Sequence, residues 1–305
     1  MGRLLLIIPL LLAGLYCAQT APARNELPGD TKELSIKIDG LKRTARVYVP
    51  AGYDDHALPV ILLLHGSGSD GRSVAWQSRM SEAAQNRGFV AIYPDALPLD
   101  PEQPASANNP RVWADGSGRG YSGSHPENDV KFMSQLVALV AREVTIDRSQ
   151  VHIAGFSNGG SMTFRLATEL PGLFHRVAVI AGVSWVHPAT WKKQDLLYIT
   201  GKKDYIIPPD RNIASLPHAP IQLQTSVNQT LLQWMDQCKA VKDQSGHYIP
   251  GDLAGRFKQF QCQNHSIEYL ELPRTGHVWP GGQEDPVAEL DATAVVVRFL
   301  LDRKS

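Results

Sequence analysis

The chain has no excess of charge of either sign. Thirty lysines and arginines balance thirty aspartates and glutamates over 305 residues, for a formal net charge of zero and a near-neutral isoelectric point. Without a basic excess there is no electrostatic footprint for nucleic acid or for an anionic membrane surface. Cysteine is scarce, three residues in all, and the chain is long enough to bury a full core. Internal repeats, low-complexity tracts and long linkers are absent. The apolar run Leu4 to Leu15, about 12 residues, falls short of the roughly 20 needed to span a bilayer.

That run has another reading. Arg3 precedes it and small residues (Ala18, Ala21, Ala23) follow, the layout of a signal peptide over about residues 1–22. Stable membrane insertion is not expected, and the product is secreted or periplasmic. Tyr16 and Gly14 fit poorly around a lipidated Cys17. The exported chain keeps Cys238 and Cys262. An even count in an oxidising compartment predicts a disulfide; closing a loop of about 24 residues, it contributes on the order of 3 kcal/mol. Residues 23–305 are read as a single domain.

Short apolar runs alternate with helical patterns. Leu34, Ile36 and Ile38, then Ala45, Val47 and Val49, alternate with polar residues, as in an antiparallel pair over one core. Pro59 to Leu64 and Gly88 to Tyr93 are continuous apolar runs, expected of strands buried on both faces. A helix is predicted from about Val74 to Asn86. Asp129 is placed as the N-cap of a helix carrying Val130, Met133, Val137, Val140 and Ala141 on one face. Further strands are read at 151–154, 177–180, 196–199 and 267–272, with helices at 225–239 and 287–302. Residues 95–126, rich in Pro, Gly, Ser and Asn, form a long loop of the kind that is usually functional or mobile. The pattern is α/β: a mostly parallel central sheet with helices on both faces.

Gly155-Phe156-Ser157-Asn158-Gly159 is the only G-x-S-x-G in the chain, and Val151-His152-Ile153-Ala154 runs into it. Strand, tight turn and helix are what a nucleophile elbow requires, with glycines where a Cβ would collide. A serine hydroxyl is a poor nucleophile without a base. Of ten histidines, His277 lies in the loop after the last predicted strand, on the side where open α/β sheets place their ligands. Asp204 follows the strand 196–199 directly and suits the group that orients the imidazole. The order Ser157, Asp204, His277 is that of α/β-hydrolase triads.

An oxyanion needs two backbone N–H donors. Asn158 is one candidate. Ser67, in the loop His65-Gly66-Ser67-Gly68, is the other, with His65 bracing that loop. The same glycine-rich loop lacks a P-loop lysine and G-x-G-x-x-G spacing, so a phosphate cradle is not indicated. Trp113, Trp185 and Trp279 are candidates to line a substrate pocket. No metal or organic cofactor is implied.

With these residues in hand, the chain resembles the secreted polyhydroxybutyrate-depolymerase and feruloyl-esterase-like branch of the α/β-hydrolases. The segments that carry the likeness are Leu64 to Gly68, Gly88 to Asp95, Asp129-Val130, Gly155 to Gly160 and Gly276-His277-Val278-Trp279-Pro280-Gly281-Gly282. The resemblance implies that Ser157, Asp204 and His277 are nucleophile, acid and base. It also implies an acyl-enzyme route on a small-molecule or oligomeric ester. Relatives that attack solid polyester add a binding domain, so a soluble ester is expected here: hydroxyalkanoate oligomers, or hydroxycinnamoyl or acetyl sugar esters. The rival readings are an acyltransferase or peptidase on the same triad, and a secreted binding protein that has lost catalysis. The oligomeric state is not legible.

Overall fold

The computed structural model describes residues 27–52, 56–119, 125–188, 191, 194–209, 225–236, 242–248, 255–262 and 265–302. The expected signal peptide, Cys17 and Cys238 lie outside the described residues; Cys262 is buried. Among these residues ten strands form one sheet: β1 (Asp30–Ile38), β2 (Leu41–Val49), β3 (Leu58–Leu64), β4 (Val90–Pro94), β5 (Ile146–Phe156), β6 (Arg176–Ile180), β7 (Asp195–Gly201), β8 (Lys242–Tyr248), β9 (Gly255–Gln261) and β10 (Ser266–Leu272). Their spatial order is β1-β2-β4-β3-β5-β6-β7-β10-β9-β8. The run β4-β3-β5-β6-β7-β10 is parallel, and hairpins extend it antiparallel at both edges.

Among the described residues six helices cover the sheet: α1 (Gly71–Ser78), α2 (Met80–Arg87), α3 (Pro126–Glu143), α4 (Asn158–Glu169), α5 (Val227–Met235) and α6 (Ala292–Leu301). Because strand side chains alternate in direction, Ile61, Leu63, Ala154 and Ile199 meet α1, α2 and α6 through Val74, Met80, Ala84, Val296 and Leu300. Their sequence neighbours Leu62, Leu64 and Ile153 meet α3, α4 and α5 through Phe132, Leu136, Phe164 and Trp234. A strand with apolar residues at every position is therefore buried twice, which accounts for the continuous run in β3. The mostly parallel sheet with helices on both faces is the expected architecture. Among the described residues no helix is long and apolar enough to cross a membrane.

Three local expectations are corrected. The helix predicted over 74–86 is two helices, broken at Arg79, which takes the left-handed conformation (φ 57°). There the Ser78 hydroxyl donates to the Val74 carbonyl at 2.7 Å and accepts from the Met80 N–H at 3.2 Å. The hairpin β8–β9 was read as no element, since Lys242–Tyr248 and Gly255–Gln261 carry few apolar residues; backbone pairing to the sheet edge makes them strands. Asp129 is not an N-cap, because α3 already begins at Pro126.

Asp129 is fully buried instead. Its Oδ1 accepts from Arg43 Nη2 at 2.7 Å and its Oδ2 from the Ala114 N–H at 2.8 Å. Arg43, on β2, also donates to Asn128 Oδ1 at 2.5 Å and to the Asp95 carbonyl at 3.1 Å. Its guanidinium lies 4.2 Å from the centre of the Phe132 ring. The Arg43–Asp129 pair thus joins β2, α3 and both ends of the 95–114 stretch. Removing one member leaves the other charge unpaired, at a cost of about 3–5 kcal/mol. Asp129→Ala is expected to lower unfolding free energy by that amount in urea titrations; a loss below about 1 kcal/mol would contradict this role.

His152 sits on β5 with its ring edge-on to His175, centroids 5.7 Å apart. Burial, reinforced by the nearby His175 and Arg176, pushes its pKa down to about 3. In the unfolded chain the same group titrates near 6.5. Between those values the unfolded chain binds a proton that the native state refuses, so stability falls as pH drops from about 6.5 towards 3. The burial-depressed pKa of His65 acts in the same direction. Urea midpoints measured from pH 7 to pH 4 should decline, and His152→Phe should flatten the slope by up to about 1.4 kcal/mol per pH unit. An unchanged slope in the variant would rule out His152 as a contributor.

Candidate active site

The site is built on the turn between β5 and α4. Ser157 adopts φ 55° and ψ −121°, a conformation that costs of order 1–3 kcal/mol and persists only where its surroundings enforce it. A Cβ at Gly155 would collide with the Gly159 carbonyl, and one at Gly159 with the carbonyls of Leu64 and His65 on the adjoining strand. Only glycines let β5, α4 and the end of β3 approach this closely. The Ser157 N–H donates to the Ile180 carbonyl at 2.9 Å, tying the turn to β6.

Two further strand-end loops complete the cluster. His277 Nε2 lies 2.8 Å from Ser157 Oγ, and His277 Nδ1 lies 2.7 Å from Asp204 Oδ2. An ionised carboxylate only accepts, so Nδ1 carries the proton and Nε2 accepts from the serine hydroxyl. Asp204 Oδ1 accepts from the N–H groups of Ile206 and Ile207 at 2.9 and 2.7 Å, and the residue is buried. The two loops hold each other: the Lys202 N–H donates to the Leu272 carbonyl and the Lys203 N–H to the Thr275 carbonyl. Thr275 Oγ1 donates to the buried Glu289. The structure therefore brings together the three side chains expected from the sequence.

A cavity of about 620 Å³ opens at Ser157, within the usual size range for small-molecule sites. Ser67 and Asn158 both line it. Neither backbone N–H meets an acceptor among the described residues, which leaves both available to a ligand. His65 is a brace: its Nε2 accepts from the Ala96 N–H at 3.0 Å, so Nδ1 carries the hydrogen given to the Gly66 carbonyl at 2.7 Å. Burial lowers its pKa, favouring this neutral form.

The tryptophan expectation is corrected. None of Trp113, Trp185 and Trp279 is among the cavity-lining residues. Trp113 is buried and donates through Nε1 to the His65 carbonyl at 2.9 Å. Trp279 is buried against Phe156 and donates to Thr293 Oγ1 at 2.9 Å. Trp185 packs at the edge of the core on the α4 side. The tryptophan that does line the cavity is Trp76 on α1, 52% exposed.

Sequence reasoning also missed Asp115 and Arg119, inside the stretch 95–126 read as a long loop that is usually functional or mobile. The Asn158 side chain accepts from the Trp113 N–H at 2.8 Å and donates to Asp115 Oδ2 at 2.7 Å. Asp115 in turn accepts from Ser117 and, at 2.5 Å, from Arg119 Nη2. The residue after Ser157 is thereby clamped to residues 113–119. Alternation of small and charged residues in Trp113-Ala114-Asp115-Gly116-Ser117-Gly118-Arg119 gave no periodic signal. Among the described residues no cluster of His, Cys, Asp and Glu has the arrangement of a metal site.

Among curated proteins the chain is similar to feruloyl esterase D of Neurospora crassa, 31% identical over 187 residues, 59% of this chain and 61% of that protein. The chain thus spans about three fifths of that relative's length. Among solved structures it is similar to an acetyl xylan esterase from Aspergillus awamori (TM-score 0.59, 15% identity, 82% of this chain and 94% of that one). An S-formylglutathione hydrolase from Agrobacterium tumefaciens is also similar (TM-score 0.56, 16% identity, 83% and 90%). At such identities the likeness is one of fold, and the fold is that of the α/β-hydrolases. Residues 37–281, most of the chain, match the family model Esterase, described as "Putative esterase", and the chain belongs to that family.

Proposed function

We propose that the chain is an exported serine carboxylic ester hydrolase, with residues 23–305 as one catalytic domain. The observation that carries this reading is the position of His277, one ring nitrogen 2.8 Å from Ser157 Oγ and the other 2.7 Å from Asp204 Oδ2. In the proposed cycle Ser157 Oγ attacks the ester carbonyl as its proton passes to His277 Nε2. Asp204 accepts from Nδ1–H and stabilises the imidazolium. The N–H groups of Ser67 and Asn158 receive the tetrahedral oxyanion; losing one such donor typically costs about 3 kcal/mol. His277 then gives its proton to the leaving alcohol oxygen, the C–O bond breaks, and Ser157 remains acylated. Water repeats the sequence: its proton goes to His277, its oxygen to the acyl carbon, and the acid leaves as Ser157 recovers its hydrogen.

The substrate class proposed is a soluble ester, either a hydroxyalkanoate oligomer or a hydroxycinnamoyl or acetyl ester of a sugar. The name of the Neurospora crassa relative favours the hydroxycinnamoyl arm. Export would follow from residues 1–22, and in that compartment Cys238 would pair with Cys262. The arrangement calls for no metal or organic cofactor.

If the three residues act as a unit, their losses will not add. Ser157→Ala should lower kcat by roughly six orders of magnitude, and Ser157→Ala/His277→Ala by no more. Asp204→Asn, which leaves the imidazole in the wrong tautomer, should cost about 10⁴-fold. Fluorophosphonate labelling of folded protein should be complete at Ser157 and absent from Ser157→Ala. Activity towards p-nitrophenyl acetate that survives in Ser157→Ala, or failure of the wild type to label, would sink the proposal.

A further inference from the structure

Arg119 is one of the most deeply placed charges at the cavity, only 5% exposed. A buried guanidinium is costly unless its donors are met. Two of its nitrogens are accounted for: Nη2 donates to Asp115 Oδ2 at 2.5 Å, and Nε donates to Ser117 Oγ at 2.8 Å. Nη1 has no acceptor among the described residues, yet it is not among the buried polar atoms sealed without a partner. Nη1 is thus not sealed, and Arg119 is one of the residues lining the cavity at Ser157.

The surroundings also define what those hydrogens would meet. Asp115 carries the opposite charge, is fully buried, and is saturated by Ser117, Arg119 and Asn158. The pair is neutral overall, so it presents the cavity with N–H donors rather than with a net positive field. Of the other charged side chains on the cavity wall, Glu284 accepts from Gln77 Nε2 at 2.6 Å. Donors backed by a neutralising carboxylate suit an uncharged oxygen acceptor better than a carboxylate. A site built to hydrogen-bond such a group rejects the analogue that lacks it, because the buried donor is then left unmet.

We propose that Arg119 is a specificity-determining residue, donating from Nη1 to an uncharged oxygen of the substrate (hydroxyl, methoxy or carbonyl) that is not part of the scissile ester. This deepens the esterase reading above and rests on it. The oxygen lies on either the acid or the alcohol portion, and the test separates the two. Asp115 is the positioning residue: it aims the guanidinium and, through the Asn158 side chain, joins it to the turn that carries Ser157.

Two ester pairs read the contact. On the acid side, p-nitrophenyl 3-hydroxybutyrate is compared with p-nitrophenyl butyrate; on the alcohol side, 2-methoxyethyl butyrate is compared with butyl butyrate. In the wild type kcat/KM should favour the oxygen-bearing member of one pair by about tenfold or more. Arg119→Met, which also leaves Asp115 without its partner, should bring that ratio to within about twofold of unity, with the absolute rates on both members of the pair free to fall together. Arg119→Lys keeps a partner for Asp115 but lacks the forked donors; it covers the case in which Arg119→Met fails to fold, and should lose most of the preference. The same four esters bound to Ser157→Ala and to Ser157→Ala/Arg119→Lys, followed by ligand-observed NMR, report the contact without turnover. A wild type that hydrolyses none of them defeats the esterase reading but leaves the binding ratios able to judge Arg119. The proposal is overturned if neither pair shows a preference in the wild type by rate or by binding. It is equally overturned if the preference survives in both variants.

Discussion

The site depends on one crowded crossing, where the end of β5 turns into α4 against the carbonyls that close β3. Gly155 and Gly159 permit that approach, and the left-handed backbone at Ser157 is its consequence. Strain of this kind is stored in the packing of the whole sheet rather than in the turn. β3, β5 and β6 are parallel neighbours with both faces buried, so the serine cannot relax without dislodging three strands. The hydroxyl is held still, and the two other strand-end loops need only reach it. Asp204 and His277 do so from β7 and β10, adjacent parallel strands whose loops are hydrogen-bonded to each other before either meets the serine.

This division of labour decides what is legible from sequence. The strands that carry the three side chains are short apolar runs followed by polar, glycine-containing turns. A parallel sheet sends all such turns to one end, so Ser157, Asp204 and His277 can be placed without knowing any distance. The break between α1 and α2 was not legible, because a left-handed Arg79 has no composition to announce it. The hairpin β8–β9 was missed for a related reason: an edge strand is held by backbone hydrogen bonds and need not show an apolar alternation. Asp129 misled in an instructive way. An acidic residue ahead of an amphipathic run looks like a cap, but Pro126 already starts the helix, which frees the carboxylate to meet a buried arginine eighty-six residues earlier in the chain.

The stretch 95–119 shows the same limit from the other side. Its composition suggests a long loop, functional or mobile, and says nothing of what anchors it. In the structure Asp95 accepts from Thr44 and from the Gly71 N–H, Ala114 is fixed by Asp129, Trp113 is wedged under His65, and Asp115 clamps Asn158. Each anchor is a single polar contact to a residue distant in sequence, so no local pattern records it. Trp113 and Trp279 were misread because an aromatic residue in a loop has two fates that look alike in sequence. Here both are buried and their N–H groups are satisfied internally, whereas Trp76 on α1 lines the cavity and is half-exposed.

These anchors explain how a long irregular segment can carry recognition without blurring the chemistry. Two buried ion pairs, Arg43 with Asp129 and Arg119 with Asp115, hold adjoining residues of the 111–119 segment, the first through the Ala114 N–H and the second through Asp115 itself. Such pairs add little net stability compared with well-packed apolar side chains. Their geometric requirement is severe, however: Asp115 meets four donors and Asp129 two, which allows very few positions for the backbone supplying them. The first pair fixes where the segment crosses α3 and the sheet edge. The second fixes how it meets the elbow through Asn158. Held at both of these adjoining points, the segment keeps one path past Ser157, and Arg119 lines the cavity from that path.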